Sequence, residues 1–211
     1  MVKIAVFVSG GGSNLQALID AVESGYIKNG KIVLVISNNA GAFGLKRAEK
    51  HGIKSVFVNP KDFKTPQEYD AHLVKMLNDA QAGIVCLAGY MKILTKEFID
   101  GFKKPIMNIH PALLPSFGGK GCYGIHVHEK VLEYGAKVTG CTVHFVDYGA
   151  DTGPIILQEA VNVSADDTPE TLQKKVLVYE HKLYKEAVKL FCEGRLKLEG
   201  RIVKISGADQ K

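Results

Sequence analysis

The 211-residue chain lacks the marks of several specialised protein classes. It has no Trp, and its four Cys are widely spaced with no Cys-x-x-Cys pair, which argues against a zinc knuckle or a dithiol redox motif. The N-terminal apolar run, Ile4 to Val8, is too short for the core of a signal peptide or for a membrane-spanning helix. The cysteines are therefore expected to be reduced thiols of a cytoplasmic protein.

A strong charge of either sign is also absent. The chain has 27 Lys and Arg against 22 Asp and Glu, a formal net charge of +5. Such a mild positive field attracts anionic small molecules, but it is too weak to indicate a nucleic-acid partner, and no membrane partner is indicated either. With 46% hydrophobic and 23% charged residues, the composition excludes collagen-like, disordered and disulfide-scaffold proteins.

What the first half does contain is a series of short, unbroken apolar runs, at residues 4–8, 32–36, 56–58 and 84–88. Strands that are buried on both faces in a parallel sheet have this pattern. Amphipathic segments with helical spacing lie between the runs. The alternation predicts an α/β fold, a doubly wound and mostly parallel sheet with helices on both faces.

Helix starts and buried faces can also be predicted. Ser13 with Gln16 has the spacing of a capping box, and Thr65 with Glu68 has the same spacing before a third helix. The buried stripe of that third helix is predicted at Tyr69, Leu73 and Met76. A long helix is predicted to be capped by Thr168, to begin at Pro169 and to end just before Gly194. Its apolar stripe is predicted at Leu172, Val176, Tyr179, Leu183 and Leu190.

The second half has a different pattern. Residues 137–146 and 154–163 are two strand-like runs joined by a turn-rich loop, which predicts an antiparallel C-terminal edge to the sheet. The tail is expected to form one short strand around Leu196 to Val203 and to fray beyond it. Because no repeat, linker or low-complexity tract interrupts the chain, residues 1–211 are predicted to form one domain.

A glycine-rich loop, Ser9-Gly-Gly-Gly-Ser-Asn14, lies between the first strand and the first helix. Glycines allow a close approach of the backbone to a ligand, and the helix start offers free N–H groups to an anion. A dinucleotide fingerprint would need glycine at Leu15 and an acid near Asn38, and a P-loop would need a lysine. The loop is thus either a phosphate cradle for a smaller molecule or a tight turn without a ligand.

Asn108 and His110 are two residues apart in a strand-like segment and share one of its faces. Pro111 ends the strand, so both side chains stand at its carboxyl end, at the sheet edge where sites of open α/β sheets lie. A carboxamide and an imidazole could together hold a developing oxyanion. The alternative is a hydrogen-bonded pair that only organises the following loop.

Asp151, in the loop between the two later strand-like runs, is a third candidate. A carboxylate near His110 would raise the pKa of the imidazole and orient it, whereas by itself Asp151 is an ordinary turn residue. His126 and His128 stand at a predicted helix start with their rings pointing apart, so no metal site is predicted. Glu180, next to the apolar Tyr179, is expected to be solvated.

Five motifs taken together resemble the folate-dependent glycinamide ribonucleotide (phosphoribosylglycinamide) formyltransferases. They are Ser9-Gly-Gly-Gly-Ser-Asn14, Leu87-Ala-Gly-Tyr-Met-Lys-Ile-Leu94, Asn108-Ile-His-Pro-Ala-Leu-Leu-Pro115, Thr142-Val-His-Phe-Val146 and Asp151-Thr-Gly-Pro-Ile-Ile-Leu-Gln158. The resemblance covers roughly residues 2 to 200. It implies a Rossmann-related formyltransferase fold, with a phosphate-binding half at about residues 1–100 and a catalytic and folate-binding half at about 101–200.

The resemblance also implies an activity, the transfer of a formyl group from 10-formyltetrahydrofolate to glycinamide ribonucleotide in de novo purine biosynthesis. Both are small molecules, 10-formyltetrahydrofolate being a co-substrate, and no metal is implied. The implied residues are Asn108, His110 and Asp151 for catalysis, Gly12, Ser13 and Asn14 for the substrate phosphate, Glu180 for the glycinamide, and Met91, Lys92, Ile93, Leu94 and Asn108 for the folate.

Two segments depart from the family pattern. Pro66 stands where bacterial relatives often have a basic residue that touches the folate, and nearby Lys64 is a candidate replacement. The glycine-rich segment from Gly118 to Tyr123 lengthens the loop after Pro115, and its composition suggests a flap over the site.

Overall fold

The computed structural model describes residues 1–207, which form two compact units divided after Met107. The first unit contains four strands and four helices. They are β1 (Val2–Val8), α1 (Ser13–Glu23), β2 (Gly30–Ser37), α2 (Phe43–Lys50), β3 (Ser55–Phe57), α3 (Pro66–Asp79), β4 (Ile84–Leu87) and α4 (Lys96–Phe102), with a short 3-10 turn at Pro60–Asp62.

The strands of the first unit run parallel. β1 pairs with β2 on one side and with β4 on the other, and β2 pairs with β3. In this register Phe7 of β1 lies opposite Ile36 and Leu87, and Phe7 and Ile36 are fully buried. Three of the apolar runs, at residues 4–8, 32–36 and 84–88, are therefore buried parallel strands, as predicted. The run at 56–58 lies in β3 at the end of the sheet, where Phe57 is 41% exposed, so the prediction of burial is wrong there.

Two details of the helices differ from the prediction. Ser13 is the first residue of α1 and does not cap it; Gly12 occupies the cap position in a left-handed conformation with no side-chain cap. Thr65 does cap α3, since its hydroxyl accepts from the N–H of Glu68. The buried stripe of α3 continues through Leu77 rather than Met76, because a spacing of four from Leu73 keeps to the core-facing side.

The second unit begins within the fifth strand. Its elements are β5 (Ile106–His110), α5 (Ile125–Glu133), β6 (Val138–Phe145), β7 (Ile155–Asn162), α6 (Pro169–Cys192), β8 (Leu196–Glu199) and β9 (Ile202–Ile205). β6 and β7 are antiparallel, as predicted, with a register shift between Val143 and His144. Thr168 caps α6 through a capping box.

The tail forms a hairpin, β8 with β9, and the prediction of one strand there is wrong. Glu199 pairs with Ile202, so only two residues make the turn, and Gly200 takes a left-handed φ of 61° there. The fraying predicted toward Lys211 falls partly on residues 208–211, which lie outside the described residues.

The strand order of the main sheet is β3-β2-β1-β4-β5-β6-β7. Seven mostly parallel strands flanked by helices, with an antiparallel edge, confirm the predicted fold class. No helix within residues 1–207 is long and apolar enough to cross a membrane. The four cysteines, Cys86, Cys122, Cys141 and Cys192, are free thiols, as expected.

Candidate active site

Asn108, His110 and Asp151 come together in the second unit. Nδ1 of His110 lies 3.4 Å from Oδ2 of Asp151, and Nδ2 of Asn108 lies 3.4 Å from Oδ1 of the same carboxylate. His110 is 3% exposed, so the ring is almost fully removed from water. The juxtaposition on which the sequence interpretation depends is therefore present, with the carboxylate between the amide and the imidazole.

The loop after β6 presents Asp151 in a left-handed conformation, with a φ of 58°. Asp147 stabilises this loop, since its Oδ1 accepts from the N–H of Gly149 and from the hydroxyl of Thr152. A Cβ at Gly153 would lie 1.8 Å from the carbonyl oxygen of Phe145, so only glycine fits there. This tight fold is a reason for the turn-rich composition of the loop.

The segment after β5 holds both His110 and Asp151 through its backbone. Nε2 of His110 lies 2.9 Å from the carbonyl oxygen of Phe117, and because a carbonyl can only accept, Nε2 carries the proton. The N–H of Gly119 donates to Oδ2 of Asp151 at 3.0 Å. A Cβ at Gly118 would lie 2.5 Å from Leu114 Cδ2, so the segment packs too closely for a side chain there.

His144 is a member of this cluster that the sequence analysis did not select. Its Nδ1–H donates to the carbonyl of Phe145 at 2.8 Å, which leaves Nε2 to accept from Nδ2 of Asn108 at 3.2 Å. Nε2 also lies 3.7 Å from Oδ1 of Asp151. The sequence did contain an indication of this role. His144 belongs to the motif Thr142-Val-His-Phe-Val146, and a residue two positions after Thr142 in a strand lies on the same face as Thr142.

Thr142 and Gln158 fix the segment that follows His110. The hydroxyl of Thr142 donates to the carbonyl of Ala112 at 2.7 Å and accepts from the N–H of Leu114 at 3.0 Å. Nε2 of Gln158 donates to the carbonyl of Leu114 at 2.9 Å and to the Thr142 hydroxyl at 3.0 Å. β6 and β7 thus anchor the backbone that carries His110.

The pKa of His110 is lowered, contrary to the rise expected from the sequence. Burial is the largest effect and favours the neutral ring, and the nearby carboxylate of Asp151 offsets only part of it. Burial alone would raise the pKa of Asp151, but its contacts with His144, His110 and the N–H of Gly119 lower it overall. The site at rest therefore combines an ionised carboxylate with a neutral imidazole.

The other histidines of this region do not form a metal site. His126 is exposed and bonds Glu129, with Nδ1 2.7 Å from Oε2, whereas His128 is 1% exposed. Burial lowers the pKa of His128 to about 4, so it is neutral at ordinary pH. Among residues 1–207 no group of three or more His, Cys, Asp and Glu side chains could hold a metal ion.

Glu180 is buried, and the expectation that it is solvated is wrong. It is 7% exposed and stands on the buried stripe of α6, four residues from Val176 and four from Tyr184. Tyr179 and Leu183, predicted to lie on that stripe, are only partly buried. Together with burial, the Glu180 carboxylate raises the pKa of the Cys141 thiol to about 12. A carboxylate on the core side of a helix is unusual without a binding or structural role.

The glycine loop lies in the first unit. Gly12 has a φ of 70°, and α1 starts directly after it with no acidic side chain in its first turn. The hydroxyl of Ser9 donates to Oδ1 of Asn38 at 2.6 Å and accepts from the N–H of Met91 at 2.8 Å. Ser9 therefore joins the start of the glycine loop to the segment implied in folate binding.

That segment, residues 91–94, also lies in the first unit. Met91 is 53% and Ile93 65% exposed, whereas Leu94 is buried. The ammonium of Lys92 lies over the ring of Tyr69, 5.4 Å from its centroid. Exposed apolar side chains beside fixed backbone are suited to binding a flat ring system.

Comparison with known proteins settles the family. The family described as Formyl transferase matches residues 2–188 of the chain. The chain belongs to this family. The relatives described next are named as a phosphoribosylglycinamide formyltransferase, a glycinamide ribonucleotide transformylase and a trifunctional purine biosynthetic protein.

Three relatives of this formyl transferase illustrate the match. The chain is 48% identical over 197 residues to phosphoribosylglycinamide formyltransferase, chloroplastic, of Arabidopsis thaliana, covering 92% of this chain and 67% of that one. It is 46% identical to the trifunctional purine biosynthetic protein adenosine-3 of Bos taurus, covering 95% of this chain but only 19% of that one. The crystal structure of glycinamide ribonucleotide transformylase 1 from Symbiobacterium toebii matches with a TM-score of 0.92 and 44% identity, covering 97% of this chain and 94% of that one.

Proposed function

We propose that this formyl transferase moves the formyl group of 10-formyltetrahydrofolate to the primary amine of glycinamide ribonucleotide, giving N-formylglycinamide ribonucleotide and tetrahydrofolate. The observation that carries the proposal is the position of the Asp151 carboxylate, 3.4 Å from both the Asn108 amide and the His110 ring. Such a cluster suits acyl transfer, which needs a donor for an oxyanion and a group that moves a proton.

In the first step the amine attacks the formyl carbon, a C–N bond forms, and the carbonyl electron pair moves onto oxygen. Nδ2 of Asn108 is the donor that receives this oxyanion. Its present contacts with Asp151 and His144, at 3.4 and 3.2 Å, are long for hydrogen bonds and are readily exchanged for a stronger, charged acceptor.

His110 moves the proton. As a neutral ring with a lowered pKa it takes the proton that the attacking amine loses, and the Asp151 carboxylate then stabilises the imidazolium. The intermediate collapses when the bond from carbon to N10 of the folate breaks, and N10 receives the proton from His110. The net result is one proton transferred from the amine to N10, so the step balances.

Binding of the two substrates is assigned to other residues. The N–H groups at Gly12, Ser13 and Asn14 bind the ribonucleotide phosphate at the start of α1, where the helix dipole favours an anion. The buried carboxylate of Glu180 binds the glycinamide amine. The folate is bound by Asn108 and by the segment Met91, Lys92, Ile93 and Leu94. At Pro66, where bacterial relatives often have a basic residue, no positive charge is available, and the exposed Lys64 nearby supplies it instead.

The functional setting follows from the same proposal. Residues 1–211 act as one formyltransferase domain on small molecules, without a metal, a nucleic acid or a membrane as partner. A cytoplasmic location is proposed from the free thiols.

One assay tests the reaction. The purified chain is mixed with 10-formyltetrahydrofolate, with and without glycinamide ribonucleotide, and deformylation of the folate is followed by absorbance. We expect deformylation only when the ribonucleotide is present, with one formylated product per folate consumed. Release of formate without the amine would instead identify a formyl-folate hydrolase, and the absence of any deformylation would reject formyl transfer.

A further inference from the structure

The first turn of α2 packs directly against the glycine loop in the first unit. A Cβ at Gly12 would lie 2.7 Å from the Cα of Gly44, so the loop does not tolerate a side chain at this contact. A Cβ at Gly44 would instead lie 2.9 Å from Cγ2 of Val8 on β1. The N–H of Gly44 donates to the carbonyl of Gly10 at 3.1 Å. α2 therefore holds one peptide group of the loop through its own backbone.

Arg47, one turn further along α2, holds the next peptide group. Its Nε–H donates to the carbonyl of Gly11 at 2.8 Å. Its Nη1 donates to Oε1 of Gln16 on α1 at 3.1 Å, and its guanidinium carbon lies 5.0 Å from the centroid of the Phe43 ring. Three contacts with different groups fix the planar guanidinium in one orientation.

Gln16 is itself fixed, so its contact with Arg47 is well defined. Its Nε2 donates to Oδ1 of Asp20 at 2.8 Å and lies 3.1 Å from Nε2 of His51. Nδ1 of His51 is 2.7 Å from Oε1 of Glu23. Because the NH2 group of the Gln16 amide faces Asp20 and His51, its oxygen is left to accept from Arg47.

These bonds determine where the N–H groups of the loop point. In a trans peptide the C=O and N–H bonds point in opposite directions. The carbonyls of Gly10 and Gly11 point toward α2, so the N–H groups of Gly11 and Gly12 point away from it. Two successive N–H groups on one side of a turn make a concave site for an anion.

We propose that Arg47 is a positioning residue for the phosphate of the ribonucleotide, an inference that rests on the proposed function. It turns the peptide between Gly11 and Gly12 so that its N–H faces the phosphate, and it places a permanent positive charge beside the start of α1. The guanidinium has five N–H groups, and the two bonds above use two of them.

The test compares Arg47→Ala and Arg47→Lys with the wild type, and uses Lys46→Ala as a control that removes one positive charge from an exposed neighbour on the same helix. Steady-state kinetics give the KM of the ribonucleotide, the KM of the folate and kcat separately. A second readout is the rise in thermal midpoint that ribose 5-phosphate produces, which needs no turnover.

We expect Arg47→Ala to raise the KM of the ribonucleotide about 10-fold or more, as loss of a charge-assisted hydrogen bond does. The KM of the folate should stay within about twofold, and the stabilisation by ribose 5-phosphate should be lost. Arg47→Lys should recover part of the affinity, because the charge returns without the planar fork. Lys46→Ala should behave as the wild type.

Three results would overturn the inference while leaving the proposed function intact. They are an unchanged KM of the ribonucleotide in Arg47→Ala, equal increases in the KM of both substrates, and full stabilisation of Arg47→Ala by ribose 5-phosphate. If Arg47→Ala does not fold, Arg47→Gln, which keeps most of the aliphatic stem, is measured in its place with the same criteria. A wild-type chain without formyl transfer would instead reject the proposed function itself.

Discussion

His110 and Asp151 face each other through one ring nitrogen and one carboxylate oxygen, Nδ1 and Oδ2, which lie 3.4 Å apart. The other ring nitrogen donates to the carbonyl of Phe117, and burial lowers the pKa of the ring. The imidazole is thus neutral at rest and able to take up a proton. The carboxylate matters most when the ring becomes charged, because only then is the pair an ion pair.

Replacing Asp151 by Asn should therefore lower turnover sharply and leave binding intact. The amide has nearly the same shape but no charge, so it cannot stabilise the imidazolium, and kcat should fall about 100-fold or more. The ribonucleotide Kd, measured by calorimetry, should change little. Asp166→Asn, an exposed change of the same kind, is the control. A kcat within a few-fold of the wild type would contradict the role given to Asp151.

Replacing Asn108 by Ala should remove the oxyanion donor. Loss of one such donor typically costs ~3–4 kcal/mol of transition-state stabilisation, so kcat should fall by about 10² to 10³. The protein should still fold and bind the ribonucleotide, because Asn108 is only half-buried. The measurement is kcat beside a thermal melt, with the exposed Asn78→Ala as control. Near-native turnover would show that the oxyanion is held elsewhere.

Much of the fold could be predicted because its causes are local. Unbroken apolar runs identify buried parallel strands, and Thr65 and Thr168 identify helix starts. The tail was harder, since a hairpin and a single strand have similar composition over residues 196–205. Its two-residue turn at Gly200 was the only local signal.

The site was predicted less completely, because long-range packing decides it. His144 and Phe117 meet His110 and Asn108 only after β5 and β6 are placed, and a backbone carbonyl such as that of Phe117 leaves no sequence signal. The pKa of His110 was predicted in the wrong direction because spacing reveals a charged neighbour but not the depth of burial. Glu180 was misjudged because the helical stripe was drawn through Tyr179, one residue from the true buried face.

The pH dependence of the reaction tests the neutral state of His110. If the free ring must accept a proton, kcat/KM falls as acid protonates it, and this acid limb should lie below the ordinary histidine pKa of about 6.5. Because the Asp151 carboxylate raises the pKa of His110, Asp151→Asn should move the limb to still lower pH. Profiles from pH 4.5 to 8.5 on both proteins decide this. A limb above pH 7 in the wild type would mean that the charged ring is the resting form.

The hydroxyl of Ser9 provides a further test, because it joins the glycine loop, assigned to the ribonucleotide phosphate, to the segment at residues 91–94, assigned to the folate. Ser9→Ala removes the donor to Asn38 and the acceptor for the N–H of Met91, at a position where Ser9 itself is 9% exposed and Asn38 is half-buried. Unsatisfied buried polar groups cost ~1–3 kcal/mol, so the free energy of unfolding in urea should fall by that amount. The KM of the folate should also rise severalfold, since Met91 loses its anchor. The control is Ser24→Ala, which removes only a weak contact between the Ser24 hydroxyl and the carbonyl of Ala21, at 3.4 Å. Equal stability of the two variants would mean that the Ser9 hydroxyl does not hold the glycine loop and the Met91 segment together.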